Sequence, residues 1–291
     1  MVKRKILFII NPNSGLGKCN IVEKYIDAII DKKRFTTQII YTERQFHATE
    51  ITLENKDNFD IIVAVGGDGT INEVSTGLID SNTTMGIVPT GSGNGFARFF
   101  KIPTNPEKAL QIINECKYKK IDTININDLK FVNVSGIGFD AHISHEFAKQ
   151  EKRGALTYGR VIISEYPKYK PKTYKIVIDG EEIEKEAFVI SFANTSQYGN
   201  NVIISPKART DDGLIDVCFI YKFPMIVGPE MALRLFTGRI DRSRYDEIRQ
   251  VPELTIKNSG IIKAHIDGEP CFFDSDIHIA INPLSLEIIV A

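Results

Sequence analysis

The sequence contains no tryptophan, only four cysteines among 291 residues, and almost no net charge, at −1. The cysteines stand far apart and form no Cys-x-x-Cys pair, which argues against a disulfide framework and against a zinc site. A balanced charge gives no overall attraction to nucleic acid, so attraction to an anionic surface must come from local patches. We therefore expect no nucleic-acid partner.

Long apolar runs are also missing. No stretch approaches the roughly 18 apolar residues that a membrane-spanning helix needs. The first apolar run, Ile6 to Ile10, is too short for a secretory signal. These absences predict a cytoplasmic protein. Hydrophobic residues make up 43% of the chain, which is enough apolar material for folded cores.

The first 125 residues alternate short apolar runs with stretches that carry apolar residues at helical spacing. The predicted strands are Ile6–Ile10, Thr37–Tyr41, Ile61–Val65, Gly86–Val88 and Lys120–Ile124. The predicted helices are 21–30, 70–79 and 107–116. This alternation predicts an α/β domain over residues 1–125, with a parallel sheet that binds ligands at the carboxyl ends of its strands.

The pattern changes after about Asp122 to many short strands separated by turn signals. Asp179-Gly180 and Asp267-Gly268 each stand between alternating apolar runs, which is a strong signal for a β-hairpin. The pattern predicts an antiparallel β-sandwich domain over residues 126–291. Helical insertions are expected at 139–166 and 225–236, and a last strand at 286–290 is compatible with either domain.

Three glycine-rich loops each lie between a predicted strand and a predicted helix. They are Asn-Pro-Asn-Ser-Gly-Leu-Gly-Lys at 11–18, Val-Gly-Gly-Asp-Gly-Thr at 65–70 and Pro-Thr-Gly-Ser-Gly-Asn-Gly at 89–95. In a parallel sheet all three would meet at one edge and surround one nucleotide. Glycines let backbone N–H groups approach phosphate, and a helix N-terminus favours an anion. The first loop is not a P-loop, and no Rossmann Gly-x-Gly-x-x-Gly supports hydride transfer.

Asp68 is unexpected in a loop of this kind, because a carboxylate repels phosphate. Its presence makes sense if it faces a bound Mg²⁺ or accepts the proton of an attacking hydroxyl. The alternative is a tight turn from strand to helix in which Asp68 is an ordinary helix cap.

Taken together, the Asn-Pro-x-Ser-Gly, Gly-Gly-Asp-Gly-Thr and Pro-x-Gly-Ser-Gly-Asn motifs resemble the diacylglycerol-kinase-type lipid kinases. That family includes bacterial soluble diacylglycerol kinases and the sphingosine and ceramide kinases. The resemblance continues through residues 136–140, 211–214 and 267–270. It implies an ATP-dependent lipid kinase with an α/β nucleotide domain, a β-sandwich domain and an active cleft between them.

The resemblance also implies roles for individual residues. The ATP-binding residues would be Asn11, Pro12, Asn13, Ser14, Gly15, Thr42, Gly66, Gly67, Asp68, Gly69, Thr70, Ile71, Asn72 and Ser92. Glu269 would accept the hydroxyl proton, with Asp68 as the rival base by comparison with sphingosine kinases. A structural Mg²⁺ would bind Asp212 and the carbonyls of Arg209 and Leu214, unless this segment is a plain turn.

One position departs from the family. Many bacterial diacylglycerol kinases have Gly-Thr-x-Asn-Asp, whereas this chain has Gly95 in place of the final aspartate. The chain is in this respect closer to sphingosine and ceramide kinases, so the lipid acceptor stays open. Asp122 is expected either to join the metal network or to bind a polar group of the substrate.

The expected partner is a lipid at a membrane surface, which a protein without a spanning segment meets peripherally. Residues 149–175 interleave basic residues with tyrosines and could contact anionic lipid. The segment 224–236 is a second candidate, although a core helix is the preferred interpretation of it. The oligomeric state is open, with a homodimer among the options. Two rival functions remain: an NAD kinase-like enzyme, which shares Gly-Gly-Asp-Gly-Thr, and a non-catalytic nucleotide- or lipid-binding relative.

Overall fold

The structure, a computed structural model, describes residues 2–15, 19–150, 154–258 and 260–291. Residues 16–18 of the first glycine loop and residues 151–153 of the basic segment therefore lie outside the described residues. The chain divides into two compact units, residues 1–123 with 283–291 and residues 124–282.

The first unit alternates strands and helices from its beginning. Its elements are β1 (Arg4–Ile10), α1 (Cys19–Ile29), β2 (Phe35–Tyr41), α2 (His47–Asn55), β3 (Ile61–Gly66), α3 (Asp68–Leu78), β4 (Thr84–Pro89), α4 (Gly95–Phe99), α5 (Pro106–Glu115) and the first part of β5 (Tyr118–Ile126). The five predicted strands of this region are confirmed, each longer than predicted by one or more residues. The three predicted helices are also confirmed, each beginning one or two residues earlier and ending one residue earlier than predicted. Helices α2 and α4 were not predicted.

Parallel pairing places the ends of the strands of the first unit in line. Strand β1 lies between β2 and β3, and β3 pairs with β4. Ile10 is opposite both Tyr41 and Val65, and Val65 is opposite Val88. The residues that follow these strands therefore meet at one edge of the sheet, as parallel topology requires.

The strand next to β4 is the end of the chain rather than β5. Strand β18 covers Ile277–Ile289, and its Ile288 pairs in parallel with Met85. The strand predicted at 286–290 is thus the last part of a longer strand. Hydrogen bonds from Thr84 Oγ1 to Glu287 and between the hydroxyls of Thr123 and Ser285 hold this part in the first unit.

Two large antiparallel sheets form most of the second unit, and two further short strands pair with each other. Its elements are β6 (Leu129–Phe131), β7 (Val134–Gly138), α6 (Phe139–Ala148), α7 (Ala155–Glu165), β8 (Lys172–Ile178), β9 (Glu181–Ala187), β10 (Val189–Ala193), β11 (Gln197–Gly199), β12 (Val202–Ile203), β13 (Ile215–Ile220), α8 (Gly228–Phe236), β14 (Asp246–Val251), β15 (Glu253–Ile256), β16 (Ile262–Ile266), β17 (Glu269–Phe273) and the first part of β18.

Strands of the two sheets share one core. One sheet has the order β14-β13-β10-β7-β16-β17, and the other contains β18-β15-β8-β9. Ile176 and Ile256 from the second sheet are fully buried with Ile190 and Val217 from the first. The predicted α/β domain followed by an antiparallel β-sandwich is therefore confirmed. The two predicted helical insertions are also present, the first as α6 and α7 and the second as a short 3₁₀ helix (Met225–Val227) followed by α8.

Candidate active site

The three glycine loops come together at the carboxyl edge of the first unit's sheet. The N–H of Asn11 donates to the carbonyl of Val65 at 3.0 Å, and the N–H of Thr90 donates to the carbonyl of Gly66 at 2.8 Å. The N–H of Thr42 donates to the Ile10 carbonyl at 2.9 Å. These bonds continue the sheet pairing by one residue beyond each strand and bring residues from all three loops side by side.

Side chains of the first loop contact the other two loops. The Nδ2 of Asn11 donates to Thr70 Oγ1 at 3.1 Å, and Thr90 Oγ1 donates to Ser14 Oγ at 2.9 Å. The Oδ1 of Asn11 also accepts the N–H of Asn13 at 3.0 Å, which fixes the turn after β1. The N–H of Ser14 donates to the Asn11 carbonyl at 3.1 Å, so hydrogen bonds connect Asn11, Ser14 and Thr70. Their role at a shared nucleotide site stays a prediction.

Two of the loops touch backbone to backbone. A Cβ placed on Gly91 would lie 2.5 Å from the Cα of Gly67, and one placed on Gly67 would lie 3.3 Å from the Cα of Gly91. Any side chain at Gly91 would therefore push the two loops apart. Ser92, which follows Gly91, is exposed in the loop. Where the two loops meet, this part of the edge is therefore formed by backbone without side chains.

Asp68 is the first residue of α3, and its carboxylate binds the third loop. Oδ2 accepts the N–H of Asn94 and Oδ1 accepts the N–H of Gly95, both at 2.7 Å. Burial raises the pKa of Asp68 above its ordinary value, and the N–H groups of Gly95 and Asn94 oppose that shift because they stabilise the carboxylate. Both carboxylate oxygens thus already have a partner, so Asp68 is more than a helix cap.

The remaining predicted nucleotide residues surround this centre. Gly66 and Gly67 lie between β3 and α3, and a Cβ on Gly66 would collide with the side chain of Thr70. The others occupy the first loop and the first turn of α3, namely Pro12, Gly15, Gly69, Ile71 and Asn72. Ile71 is buried in the core of the unit, so its contribution to a nucleotide site is limited to its backbone.

Asp122 lies on β5 in the first unit and is buried. Its Oδ1 accepts the N–H of Leu284 at 2.8 Å. One carboxylate oxygen therefore helps to hold the middle of β18 beside β5. The expected role of Asp122 toward metal or substrate stays a prediction.

In the second unit, Glu269 follows the hairpin turn between β16 and β17, and its side chain is exposed. Contacts from several elements hold this turn in place. Asp267 accepts the N–H groups of Val132 and Asn133 at 3.3 and 3.1 Å. The Oγ of Ser144 on α6 donates to the Gly268 carbonyl at 2.5 Å. Glu269 is therefore presented on a braced turn, although its own side chain is in solvent.

A buried polar cluster lies beneath this turn and was not predicted from the sequence. Oδ2 of Asp140 accepts from Tyr198, His265 and Ser191 at 3.1, 3.2 and 3.3 Å. The Nδ1 of His265 in turn accepts the N–H of Gly268 at 3.3 Å. These bonds connect the Gly136–Asp140 motif to the turn that carries Glu269.

The glycines of that motif have a clear physical reason. A Cβ on Gly136 would meet the carboxylate of Asp140, and Gly138 has a φ of +102°, which side chains rarely adopt. The motif is recognisable in the sequence, but His265, which bonds the Asp140 carboxylate, lies 125 residues farther along the chain. Only the fold brings the two together.

The segment suggested for a structural Mg²⁺ forms a turn before β13. Oδ1 of Asp212 accepts the N–H of Leu214 at 3.2 Å, and Gly213 has a φ of +72°. Carboxylate and carbonyl oxygens in one turn are the donors that Mg²⁺ and Ca²⁺ prefer, so Arg209, Asp212 and Leu214 fit a hard cation by donor type. Among the described residues, no group of three or more His, Cys, Asp or Glu side chains could hold a metal.

Helices long and apolar enough to cross a bilayer are absent from the described part of the chain. The two candidate membrane segments of the sequence both lie in the second unit. Helix α7 exposes Leu156 and Ile163, and α8 exposes Leu233 and Phe236.

Comparisons with known proteins agree with this architecture. Residues 5–126 match the domain family described as "Diacylglycerol kinase catalytic domain". Residues 133–290 match the family described as "YegS C-terminal NAD kinase beta sandwich-like domain". The chain is 27% identical over 220 residues to "Probable lipid kinase YegS-like" of Chromohalobacter salexigens, covering 74% of this chain and 71% of that protein. It is 26% identical over 278 residues to a diacylglycerol kinase of Staphylococcus saprophyticus, covering 92% and 90%.

Solved structures show the same fold. A crystal structure of a diacylglycerol kinase from Bacillus anthracis superposes with a TM-score of 0.76 over 100% of this chain and 98% of that one, at 21% identity. The matched domains, the curated relatives and the joined glycine loops support a kinase that uses a nucleotide, and they do not favour the NAD kinase-like alternative. The chain belongs to the diacylglycerol-kinase-type family, with a diacylglycerol kinase catalytic domain followed by a YegS-type β-sandwich domain.

Proposed function

We propose that the protein transfers the γ-phosphate of Mg·ATP to a hydroxyl group of a lipid. The observation that carries the proposal is the junction of three glycine loops at one sheet edge, where Gly67 and Gly91 meet backbone to backbone. A glycine-rich backbone without side chains and a helix N-terminus suit a polyphosphate. The lipid acceptor is supported by the names of the two relatives, a probable lipid kinase and a diacylglycerol kinase.

In this proposal Glu269 accepts the proton of the attacking hydroxyl. A positioned carboxylate contributes about 10²- to 10⁴-fold to such a step. Glu269 is preferred over Asp68 because both oxygens of Asp68 already accept backbone N–H groups at 2.7 Å. Asp68 would hold the third loop in place and present its remaining lone pairs to a nucleotide-bound Mg²⁺. Mg²⁺ would neutralise the charge that develops on the transferred phosphoryl group.

The structural cation site is part of the proposal as well. Asp212, with the carbonyls of Arg209 and Leu214, would hold a Mg²⁺ that stabilises the turn before β13. Removal of this Mg²⁺ by a chelator should lower the midpoint of thermal unfolding of the wild-type protein. Asp212→Asn should lower the midpoint even without a chelator, and a chelator should then lower it no further. A wild-type midpoint that EDTA leaves unchanged would exclude a structural ion at this turn.

The protein would meet its acceptor peripherally at a membrane surface. Helix α7 exposes Leu156 and Ile163, and Lys168, Lys170 and Lys172 are exposed in the residues that follow it. Basic residues near an anionic surface contribute about 1 kcal/mol each. This surface is one part of the proposed contact.

The direct test is transfer of label from [γ-³²P]ATP with Mg²⁺ into organic-extractable product. Diacylglycerol, monoacylglycerol, sphingosine and ceramide are offered separately in mixed micelles, with NAD as a water-soluble comparison. We expect label in one of the lipids and loss of that label in Glu269→Gln. Label in NAD alone would replace the lipid acceptor by a dinucleotide. Binding of ATP without label in any acceptor would indicate a non-catalytic relative.

A further inference from the structure

The segment from Pro224 to Phe236 leaves apolar side chains in solvent. Eight of its residues are exposed, and Glu230 is the single polar residue among them. Ile226 is 89% exposed and Leu233 is 62% exposed. A helix at the surface of a globular protein normally directs polar residues outward, and soluble monomers rarely leave such residues contiguous. This segment therefore has the surface of an interaction site.

The inward side of the same segment is firmly attached to the second unit. Val227, Met231 and Leu235 recur at every fourth position and pack on a core cluster of that unit. Ser243 Oγ donates to the sulfur of Met231 at 3.2 Å. The helix is thus held by one face, and its opposite face is accessible in the folded protein.

The outward side carries the remaining apolar residues at helical spacing. Pro229, Leu233 and Phe236 lie at positions i, i+4 and i+7 of α8 and share one face. Met225 and Ile226 extend the exposed surface into the preceding 3₁₀ helix. We call the surface formed by Met225, Ile226, Pro229, Leu233 and Phe236 the α8 face.

The α8 face is set in a basic segment. Residues 222–244 contain five basic residues and two acidic ones, in a chain whose net charge is −1. Arg239 and Arg242 are exposed just after α8, and Arg234 on the helix pairs with Glu230 at 2.8 Å. Apolar residues with cations beside them are typical of helices that lie in the interface of an anionic bilayer.

We propose that the α8 face binds the surface of an anionic lipid bilayer, with Ile226, Leu233 and Phe236 entering the headgroup layer. The biological role of this contact rests on the proposed lipid kinase function, because the α8 face would bring the protein to the membrane that contains its lipid acceptor. The interaction itself requires neither nucleotide nor acceptor and can be measured without them.

A second copy of the chain is a weaker match for this surface. In a twofold dimer the same patch packs against itself, so Arg239 and Arg242 would face a partner surface with the same excess of positive charge. Like charges facing each other oppose association. An anionic bilayer offers the opposite charge and a layer into which apolar side chains can partition.

The test is binding to vesicles in the absence of ATP and diacylglycerol. The wild-type protein is sedimented with vesicles of phosphatidylcholine and phosphatidylglycerol at equal amounts, and with vesicles of phosphatidylcholine alone. We expect binding to the anionic vesicles that weakens with added salt. Ile226→Ser combined with Phe236→Ser should reduce binding at least about tenfold, since burial of one large apolar side chain corresponds to roughly a tenfold change in an equilibrium constant.

A matched control replaces exposed apolar residues elsewhere. Leu53 and Leu129 are 50% and 46% exposed, and Leu53→Ser combined with Leu129→Ser should bind vesicles as the wild type does. Equal binding by the Ile226/Phe236 variant, or binding that does not depend on phosphatidylglycerol, would overturn the proposal. The proposal would also be overturned if the wild type were a dimer, the Ile226/Phe236 variant were a monomer, and neither protein bound vesicles. Label transfer in micelles is measured independently of vesicle binding. The membrane-binding proposal and the lipid kinase proposal can therefore fail separately.

Discussion

The carboxylate of Asp68 and the backbone of Gly95 are joined by a hydrogen bond of 2.7 Å between residues 27 positions apart. Gly95 occupies the position where many bacterial members of the family carry an aspartate. Here that position contributes its backbone N–H and has no side chain. The glycine loop after β4 is thus organised around one acidic side chain.

Replacement of Asp68 should affect both turnover and stability. In Asp68→Asn an amide N–H₂ group faces one of the two backbone donors, so one hydrogen bond is lost and two donors oppose each other. We expect unfolding free energy to fall by about 1–3 kcal/mol, the cost of an unsatisfied buried donor. Turnover should fall at least about tenfold, because small displacements of a positioning loop are costly. Urea unfolding and label transfer measure the two effects.

Asp60 offers a matched control for this variant. Its carboxylate also accepts a backbone N–H at 2.7 Å, from Lys5, but at an exposed position away from the glycine loops. Asp60→Asn should leave turnover unchanged. If Asp68→Asn retained near-full turnover, Asp68 would have no part in the reaction.

A methyl group at Gly91 should disturb the nucleotide site. Because its Cβ would lie 2.5 Å from the Cα of Gly67, Gly91→Ala must separate two backbone segments, and overpacking of this kind costs typically about 1–3 kcal/mol. We expect the KM for ATP to rise at least about tenfold. In contrast, a Cβ on Gly159 of α7 would meet no atom within 4 Å beyond its chain neighbours and the nearby backbone of its own helix. Gly159→Ala should therefore stabilise the helix by up to about 1 kcal/mol with an unchanged KM. Unchanged ATP binding in Gly91→Ala would argue against a nucleotide at this edge.

The two Ile-Asp-Gly-Glu turns of the chain allow a sharp test of Glu269. Both aspartates and both glycines of these turns have positive φ, and Glu269 and Glu181 are exposed after them. Only the turn before Glu269 belongs to a motif shared with the family. Glu269→Gln should lower kcat by about 10²- to 10⁴-fold, whereas Glu181→Gln should not. Neither change should shift the unfolding midpoint, because both side chains are in solvent. Equal kcat values for the two variants would remove Glu269 from the mechanism.

Asp246 should make stability depend on pH. Burial raises its pKa to about 7 from an ordinary value of 3.8, with further contributions from the charges of Asp241 and Glu247. The folded state therefore holds this proton more tightly than the unfolded state. The resulting stabilisation is complete below about pH 4 and is lost as the pH rises through about 7.

Asp246→Asn should remove the loss of stability at rising pH, because an amide does not ionise. Relative to the wild type, the variant should become more stable by about 1–3 kcal/mol between pH 5 and pH 8. Urea unfolding at several pH values measures the difference. A difference in unfolding free energy that stays constant with pH would show that Asp246 ionises normally.

Local patterns in the sequence were sufficient for most of the first unit. The apolar runs of β1 and β3 are fully buried, so their composition alone indicates strands covered on both faces. Helix α2 was missed because its hydrophobic pattern is weak, with Ala48, Ile51 and Thr52 as its buried residues. Strand β18 was predicted only in part because Pro283 interrupts its apolar pattern.

The contacts that organise the candidate site were beyond such patterns. The loops could be placed at one edge by topology, but the bond from Asp68 to Gly95 and the cluster of Asp140 with His265 join residues from separate elements. No periodicity encodes contacts between residues 27 or 125 positions apart. The motifs containing Asp68 and Asp140 indicated where such contacts would be found, without indicating their partners.

The backbone contact between Gly67 and Gly91 also bears on the thermodynamics of nucleotide binding. The two loops are packed against each other by the fold itself, so their conformational entropy is lost during folding rather than on association. A site of this kind needs little rearrangement to receive a ligand. Calorimetric titration with a nucleotide should therefore show a small entropic penalty, and the affinity should depend on how well the phosphates match N–H groups that are already in place.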